Sequence, residues 1–149
     1  MDVAKKFTFD DPDGNGTDDT YGFSGTGIGA FDPMINSYGG STSNNFIVRD
    51  NQVTSSLLQP GMKEGLKLAK TFVDAGVVDP DIVANNGTAV TDKMIQGKTG
   101  MAFYSWGGLY KKMYMDQVHS VNPNAKWAWF DNISGPEGSA NGGLDVSNV

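Results

Sequence analysis

A chain of 149 residues with 38% hydrophobic and 11% aromatic content is about one domain long and has enough apolar mass for a core. A net charge of −6, with its eleven basic residues scattered, excludes nucleic acid as a partner, because backbone binding needs clustered Lys and Arg. The absence of cysteine removes disulfides, zinc thiolate sites and thiol catalysis. No apolar run is long enough to span a bilayer. Met1-Asp2-Val3-Ala4-Lys5-Lys6 leads directly into polar sequence without a signal-peptide pattern, so the chain reads as cytosolic or as starting inside a longer one.

In chain order, residues 2–8 read as the last turns of a helix, with Val3, Ala4 and Phe7 on one face. An acidic loop over Asp11–Asp19 follows, then a short strand at Tyr21–Ser24. The Gly-rich stretch beyond it carries one helical turn around Phe31–Tyr38. Phe46–Val48 and Gln52–Thr54, joined by a turn at Arg49-Asp50-Asn51, form a small hairpin. The clearest element is a helix over Gly61–Ala75, with Pro60 at its first turn and Gly76 after its end. Met62, Leu66, Ala69 and Val73 make its apolar stripe, opposite Lys63, Lys67, Lys70 and Asp74.

Val77–Asp81 reads as a connection, Ala89–Gln96 as a second short helix ended by Gly97, and Gly100–Ser105 as a buried strand, since its apolar run is continuous. A third helical pattern starts at Trp106 and runs through Leu109, Tyr110, Met113 and Gln117 until Asn122-Pro123 stops it. Lys126–Ile133 reads as an aromatic strand. From Ser134 onward the Gly-rich sequence lacks the apolar surface to order itself without a partner. Strands alternating with helices imply an α/β layer structure.

The acidic loop has the spacing of an EF-hand-type calcium site, in which ligands come from positions 1, 3, 5, 7 (a backbone carbonyl) and 9, with glycine at 6. With Asp11 as the first position, Asp13, Asn15, Gly16, Thr17 and Asp19 fill those slots, while the twelfth, normally a bidentate Glu, is Gly22. The competing reading is a hydrophilic turn, because Asp-Gly and Asn-Gly pairs form turns unaided. Asp10, Asp11, Asp13, Asp18 and Asp19 crowd together, however, and their mutual repulsion favours a cation.

Taken together, "DPDGNGTDDTYGFSG", "FIVRDNQV", "PGMKEGLKLAKTFVDAGVVDPD", "MIQGKTGMAFYSWGGL" and "ISGPEGS" stand in the order seen in family 1 extracellular solute-binding proteins, the sugar-capturing subunits of bacterial ABC importers. The chain resembles the middle of that family over about residues 3–140. The resemblance implies an α/β, periplasmic-binding-protein type II-like lobe, incomplete, with an EF-hand-like calcium loop. Residues 3–135 would be the main part of the second lobe and 136–149 a flexible tail leading toward the hinge. It further implies a structural calcium held by Asp11, Asp13, Asn15, the Thr17 carbonyl and Asp19. Family relatives carry a Glu after the last Asp, where this chain has Thr20.

The resemblance also implies a binding protein and not an enzyme: one that captures a sugar or oligosaccharide and delivers it to ABC permease subunits. Its expected location is extracellular, as a cell-surface lipoprotein or in a periplasm, with membrane attachment only through a lipid anchor absent from this chain. Trp106 is the first candidate for stacking on a sugar, because it follows a strand and precedes Gly-Gly at a strand's C-terminal edge, where open α/β sheets bind ligands. Tyr104 and Phe31 join it, with Asn36 and Tyr38 weaker. Trp127 and Trp129 are better read as core packing. His119, the one histidine, reads as a helix-end residue. No catalytic triad or carboxylate pair emerges from the spacing, and Gly25–Gly29 lacks the pattern of a nucleotide loop. The rival readings are a calcium-dependent adhesion or dockerin-like module, which a duplicated calcium loop would favour, and a domain of a carbohydrate-active enzyme.

Overall fold

The computed structural model describes residues 1–43, 46–104, 111–128, 133–136 and 138–139. The chain divides into two compact units, Met1–Phe31 with Lys70–Trp129 and Asp32–Ala69 with Phe130–Val149.

The first unit begins with α1 (Asp2–Phe9), whose buried residues Ala4 and Thr8 lie one helical turn apart. The Thr8 hydroxyl donates back to the Ala4 carbonyl and accepts the Gly22 N–H, fixing the helix against the extended segment that follows the acidic loop. That segment is the middle of three parallel extended stretches. Tyr21 and Ser24 bridge Thr99 and Ala102 on one side, and Phe23 bridges Val78 on the other. The ladder includes Phe23 N–H to the Val77 carbonyl and Asp79 N–H to the Phe23 carbonyl, both 2.9 Å, and Ser24 N–H to the Met101 carbonyl, 3.0 Å. Behind the ladder, Phe23 packs on Phe31 and Phe72 at centroid separations of 5.4 Å and 6.3 Å. Val77 is fully buried with them.

Two helices complete this unit. Asn86 caps α4 (Gly87–Ile95) by accepting the Ala89 N–H, and α5 (Lys112–Val121) ends at Asn122. Val90 and Met94 of α4 meet Val118 of α5, with Tyr104, Tyr114 and Trp127 packed around them.

In the second unit, α2 (Asp32–Asn36) follows a single 3-10 turn at Ile28–Phe31. The buried Asp32 carboxylate accepts the Thr42 N–H and the Thr42 and Ser43 hydroxyls, which ties the loop back to the helix start. β1 (Phe46–Arg49) and β2 (Gln52–Ser55) pair antiparallel with Val48 opposite Val53. Asp50 and Asn51 both take positive φ, 51° and 60°, as a two-residue turn that matches strand twist requires. β3 (Ser134–Gly135) and β4 (Gly138–Ser139) form a second, minimal hairpin.

The structure departs from the sequence expectations in several places. In α3 (Gly61–Asp74) the buried positions are Gly65, Ala69 and Phe72, whereas Leu66 and Val73 are exposed. Gly65 sets that face: a Cβ there would lie 2.6 Å from Ile35 Cα, so only glycine lets the two backbones approach. Val77–Asp81 pairs with the Tyr21–Ser24 segment, so it is more than a connection. Residues 100–104 form only an isolated bridge and leave Phe103 half exposed, so they are not a buried strand. Of the third helix, the described part is Lys112–Val121, and the start expected at Trp106 lies outside the described residues. Residues 126–128 and Ile133 adopt no regular structure, and the rest of the strand expected there lies outside the described residues, as does most of the tail at 136–149. Ser134–Gly135 and Gly138–Ser139, from the stretch expected not to order itself without a partner, pair with each other as β3 and β4. Among the described residues no helix is long and apolar enough to cross a membrane.

Candidate functional site

Because the three extended stretches run parallel, their C-terminal ends share one edge, at Gly25, Asp79 and Phe103–Tyr104. Chain reversals after such an edge leave backbone groups and loops free to meet a ligand. Two groups of side chains gather here.

The first is a buried polar knot. Asp79 is 1% exposed, and its carboxylate accepts from Lys93 Nζ at 2.8 and 2.9 Å, Ser24 Oγ at 2.7 Å, Asn85 Nδ2 at 2.9 Å and the Asp81 N–H at 2.9 Å. Burial pushes this carboxyl up, but the Lys93 ammonium and the Ser24, Asn85 and Asp81 donors outweigh it and leave its pKa below the ordinary carboxylate value. Lys93 reaches Asp81 as well, at 3.0 Å. Burial pulls its ammonium down, and the two carboxylates raise it above the usual lysine value. Every acceptor site of Asp79 is thus used within the protein, which makes the knot a brace holding α4 to the edge. The sequence signal for it was weak, since Ser24, Asp79, Asn85 and Lys93 lie on four separate segments.

The second group borders a hollow of about 160 Å³, lined by Gly87, Thr88, Thr91 and Asp92 of α4, Tyr104, and Tyr114 of α5. Tyr104 is held rigidly there. Its hydroxyl lies 3.1 Å from the Gly87 carbonyl and 2.5 Å from the Thr91 hydroxyl, itself 2.8 Å from the same carbonyl, so one of the two hydroxyls donates to Gly87 and the other to its neighbouring hydroxyl. The hollow therefore presents two phenol rings, hydroxyls, a carboxylate and backbone at the start of a helix. That mixture suits a polyhydroxylated ring, which needs C–H surface against aromatic carbon and hydrogen-bond partners around its rim. Thr88, Thr91, Asp92 and Tyr114 could not be singled out from sequence, because only the packing of α4 against α5 turns them toward a common space.

Of the residues singled out by sequence, Tyr104 lines this hollow. Trp106 and Trp129 lie outside the described residues. Phe31 is 4% exposed and packed on Phe23, so it sits in the core and offers no free face. Trp127 packs against the Val90–Met94–Val118 cluster. His119 is exposed near the end of α5, with Nε2 3.3 Å from the Ala125 carbonyl.

The acidic loop folds around two of its own side chains. Asp11 accepts the Asn15 and Gly16 N–H groups at 3.0 and 2.9 Å, and Gly16 takes φ 80° at the sharp turn. The Gly16 N–H above all, then Asp13 and the Asn15 N–H, draw the Asp11 carboxyl below its ordinary pKa, against desolvation. The Asn15 amide donates to Asp13 at 3.0 Å and Asp19 at 3.3 Å, taking the bridging place between two carboxylates. With the side chains so placed, no three His, Cys, Asp or Glu among the described residues are gathered to hold a metal ion. Gly22 has no room for the twelfth-position Glu, because a Cβ there would lie 2.1 Å from the Ala4 carbonyl oxygen. The buried Thr20 hydroxyl is turned away to the Gly97 carbonyl.

No family model matches the chain. It is 29% identical over 143 residues to the polygalacturonan/rhamnogalacturonan-binding protein YtcQ of Bacillus subtilis (strain 168), a match covering 91% of this chain and 27% of that protein. It is 28% identical over 104 residues to Lipoprotein LipO of the same organism, covering 66% of this chain and 20% of the relative. Among solved structures, the S. pneumoniae ABC-transporter substrate binding protein FusA in complex with kestose matches with a TM-score of 0.70 at 21% identity, over 93% of this chain and 27% of that one. The chain has the mixed helix-and-strand fold of part of an ABC-transporter substrate-binding protein, periplasmic-binding-protein type II-like, and the resemblance carried by its motifs is borne out. It spans about a quarter of the length of the curated relatives it matches.

Proposed function

We propose that this chain is part of the sugar-capturing subunit of an ABC importer, acting as a binding protein and not as an enzyme. The observation that carries the reading is the tyrosine-lined hollow at the C-terminal edge of the parallel stretches, within a fold shared with a substrate-binding protein. In the whole protein a sugar or oligosaccharide would lie against Tyr104, with Trp106, two residues further along, as the stacking ring. Permease subunits would receive it outside the cell, and a lipid anchor elsewhere in the protein would keep the subunit at the surface. Calorimetric titration of the full-length protein with a panel of oligosaccharides tests this. Saturable binding that falls at least about tenfold in Trp106→Ala is the expected outcome, and about 1.4 kcal/mol is the corresponding loss. Oligosaccharide binding that is indifferent to Trp106→Ala removes the assigned site.

The acidic loop is proposed as a structural calcium site using Asp11, Asp13, Asn15, the Thr17 carbonyl and Asp19. Its support is the ligand spacing, the gathering of Asp13 and Asp19 on Asn15 and the left-handed Gly16. Binding requires the Asn15 amide to turn over so that its oxygen replaces its nitrogen, which gives up the bond that its Oδ1 accepts from the Thr17 N–H at 2.7 Å. With no Glu at the twelfth position the affinity belongs near the weak, extracellular end, about 10⁻³ M. At about 10 mM calcium, linkage then adds about 1.4 kcal/mol of stability. Thermal melting with calcium and with chelator should differ in the wild type and coincide in Asp13→Ala. Equal melting temperatures in the wild type would remove the site.

A further inference from the structure

Among the described residues, six line the hollow and one of them is charged, Asp92, which is negative. Asp92 is exposed at this lining and makes no ion pair among the described residues, and no Lys or Arg among them lines the hollow. The cations nearby are committed elsewhere. Lys93, next to Asp92 on α4, is held by Asp79 and Asp81 at 2.8 and 3.0 Å, and Lys112 on α5 is held by Asp116 at 2.6 Å. Lys111, exposed at the α5 N-cap, does not line the hollow. The stretch between Tyr104 and Lys111, Ser-Trp-Gly-Gly-Leu-Tyr, brings no charge of its own. The whole chain adds a net charge of −6.

The hollow's 160 Å³ is close to the about 150 Å³ that accommodates one benzene ring, so it is of the size of one six-membered ring. An anionic ring would place its charge near Asp92 without a counter-charge. At such range, with partial solvent screening, like-charge repulsion is several-fold to more than tenfold in affinity. A neutral ring instead finds in Asp92 a strong acceptor for two vicinal hydroxyls, flanked by Tyr104 and Tyr114.

We propose that this hollow is a subsite for an uncharged pyranose and that Asp92 is its specificity determinant, accepting sugar hydroxyls and rejecting uronates. The inference rests on the sugar-capture reading above and gives this chain a ligand class different from the polygalacturonan named for one relative. It is tested in the full-length protein with disaccharide pairs that differ only in oxidation at C6: α-1,4-galactobiose against α-1,4-digalacturonate, and cellobiose against cellobiouronate. The neutral member of at least one pair should bind about tenfold or more tighter than its uronate. Asp92→Asn should bring that pair within about threefold by losing affinity for the neutral sugar, gaining it for the uronate, or both. Asp92 is exposed, so this variant leaves the core intact. Asp18→Asn, which changes net charge equally on another surface, should leave the ratio as in the wild type.

Uronates that bind as tightly as their neutral partners in both pairs overturn the proposal, and so does a ratio moved equally by Asp18→Asn. If oligosaccharides from the wider panel bind but neither pair responds to Asp92→Asn, the subsite is refuted while sugar capture stands. If no oligosaccharide binds, both fall.

Discussion

At the scale of single residues, stability in the first unit turns on places where one atom more or less has no accommodation. Asp79 is the clearest. Its carboxylate is almost wholly enclosed and collects four different donors. Removing it leaves the Lys93 ammonium, which is 21% exposed, with only the exposed Asp81 carboxylate at 3.0 Å, and takes from Ser24 and Asn85 their shortest acceptor. Breaking a buried pair from one side costs about 3–5 kcal/mol, and the partial exposure of Lys93 puts Asp79→Ala near the lower end. Urea denaturation should show that loss in the midpoint, with Lys93→Met restoring part of it in the double variant. Gly22 is a second such place. An added methyl would meet the Ala4 carbonyl oxygen at 2.1 Å, a backbone atom that cannot swing aside. Gly22→Ala should therefore destabilise by about 1–3 kcal/mol or more, whereas Gly14→Ala, with open space around it but φ 69°, should cost only the left-handed strain of about 1 kcal/mol. A reversed order in their melting temperatures would mean that α1 can slide away from the Tyr21–Ser24 segment.

At the scale of elements, α3 shows how a helix can be legible while its orientation is not. Its bounds follow from Pro60 before it and Gly76, at φ 70°, after it. The spacing of large apolar residues suggested Leu66 and Val73 for the buried side, yet these are 38% and 53% exposed, and Phe72 is 8% exposed. The deciding residue was Gly65, which carries no hydrophobic signal and acts only by letting Ile35 come close. Phe72→Ala should cost about 3–5 kcal/mol, while Leu66→Ser should stay within about 0.5–1 kcal/mol, as for surface positions. Comparable losses from the two would return the helix to the face its apolar spacing suggested. The other elements divide in the same way. The hairpin, its Asp50-Asn51 turn and the end of α4 before Gly97 were readable because local backbone chemistry fixes them, whereas α4 starts at Gly87, two residues before the expected Ala89. The three parallel stretches were only partly readable, being a few residues each with pairings up to 78 positions apart. The site was legible at Tyr104, next to a recognisable strand-like run, and hidden at Asp92 and Tyr114, which look like ordinary residues of polar helices until α4 and α5 meet.

At the scale of the whole molecule, pH reports which electrostatic effect dominates. There are 17 acidic and 11 basic residues, so acidification first relieves general repulsion. At physiological ionic strength the screening length is about 8 Å, which leaves surface repulsion weak, while the Asp79–Lys93 knot is shielded from salt by burial. The knot should therefore govern both limbs of the stability profile. Asp79 has a folded pKa below its unfolded value of about 3.9. It binds fewer protons when folded, so its contribution is complete above the unfolded value and is lost as pH falls through the lower folded one. Lys93 has a folded pKa above its unfolded value of about 10.4. Its contribution is complete below the unfolded value and is lost as pH rises through the higher folded one. Stability measured by urea midpoint at 0.15 M salt should hold a plateau between about pH 5 and 10 and fall on either side. Asp79→Asn should lower the plateau and flatten both limbs, because the amide neither titrates nor holds the ammonium. Should the acid limb keep its wild-type slope in Asp79→Asn, dispersed surface carboxylates, not the buried knot, would set acid stability.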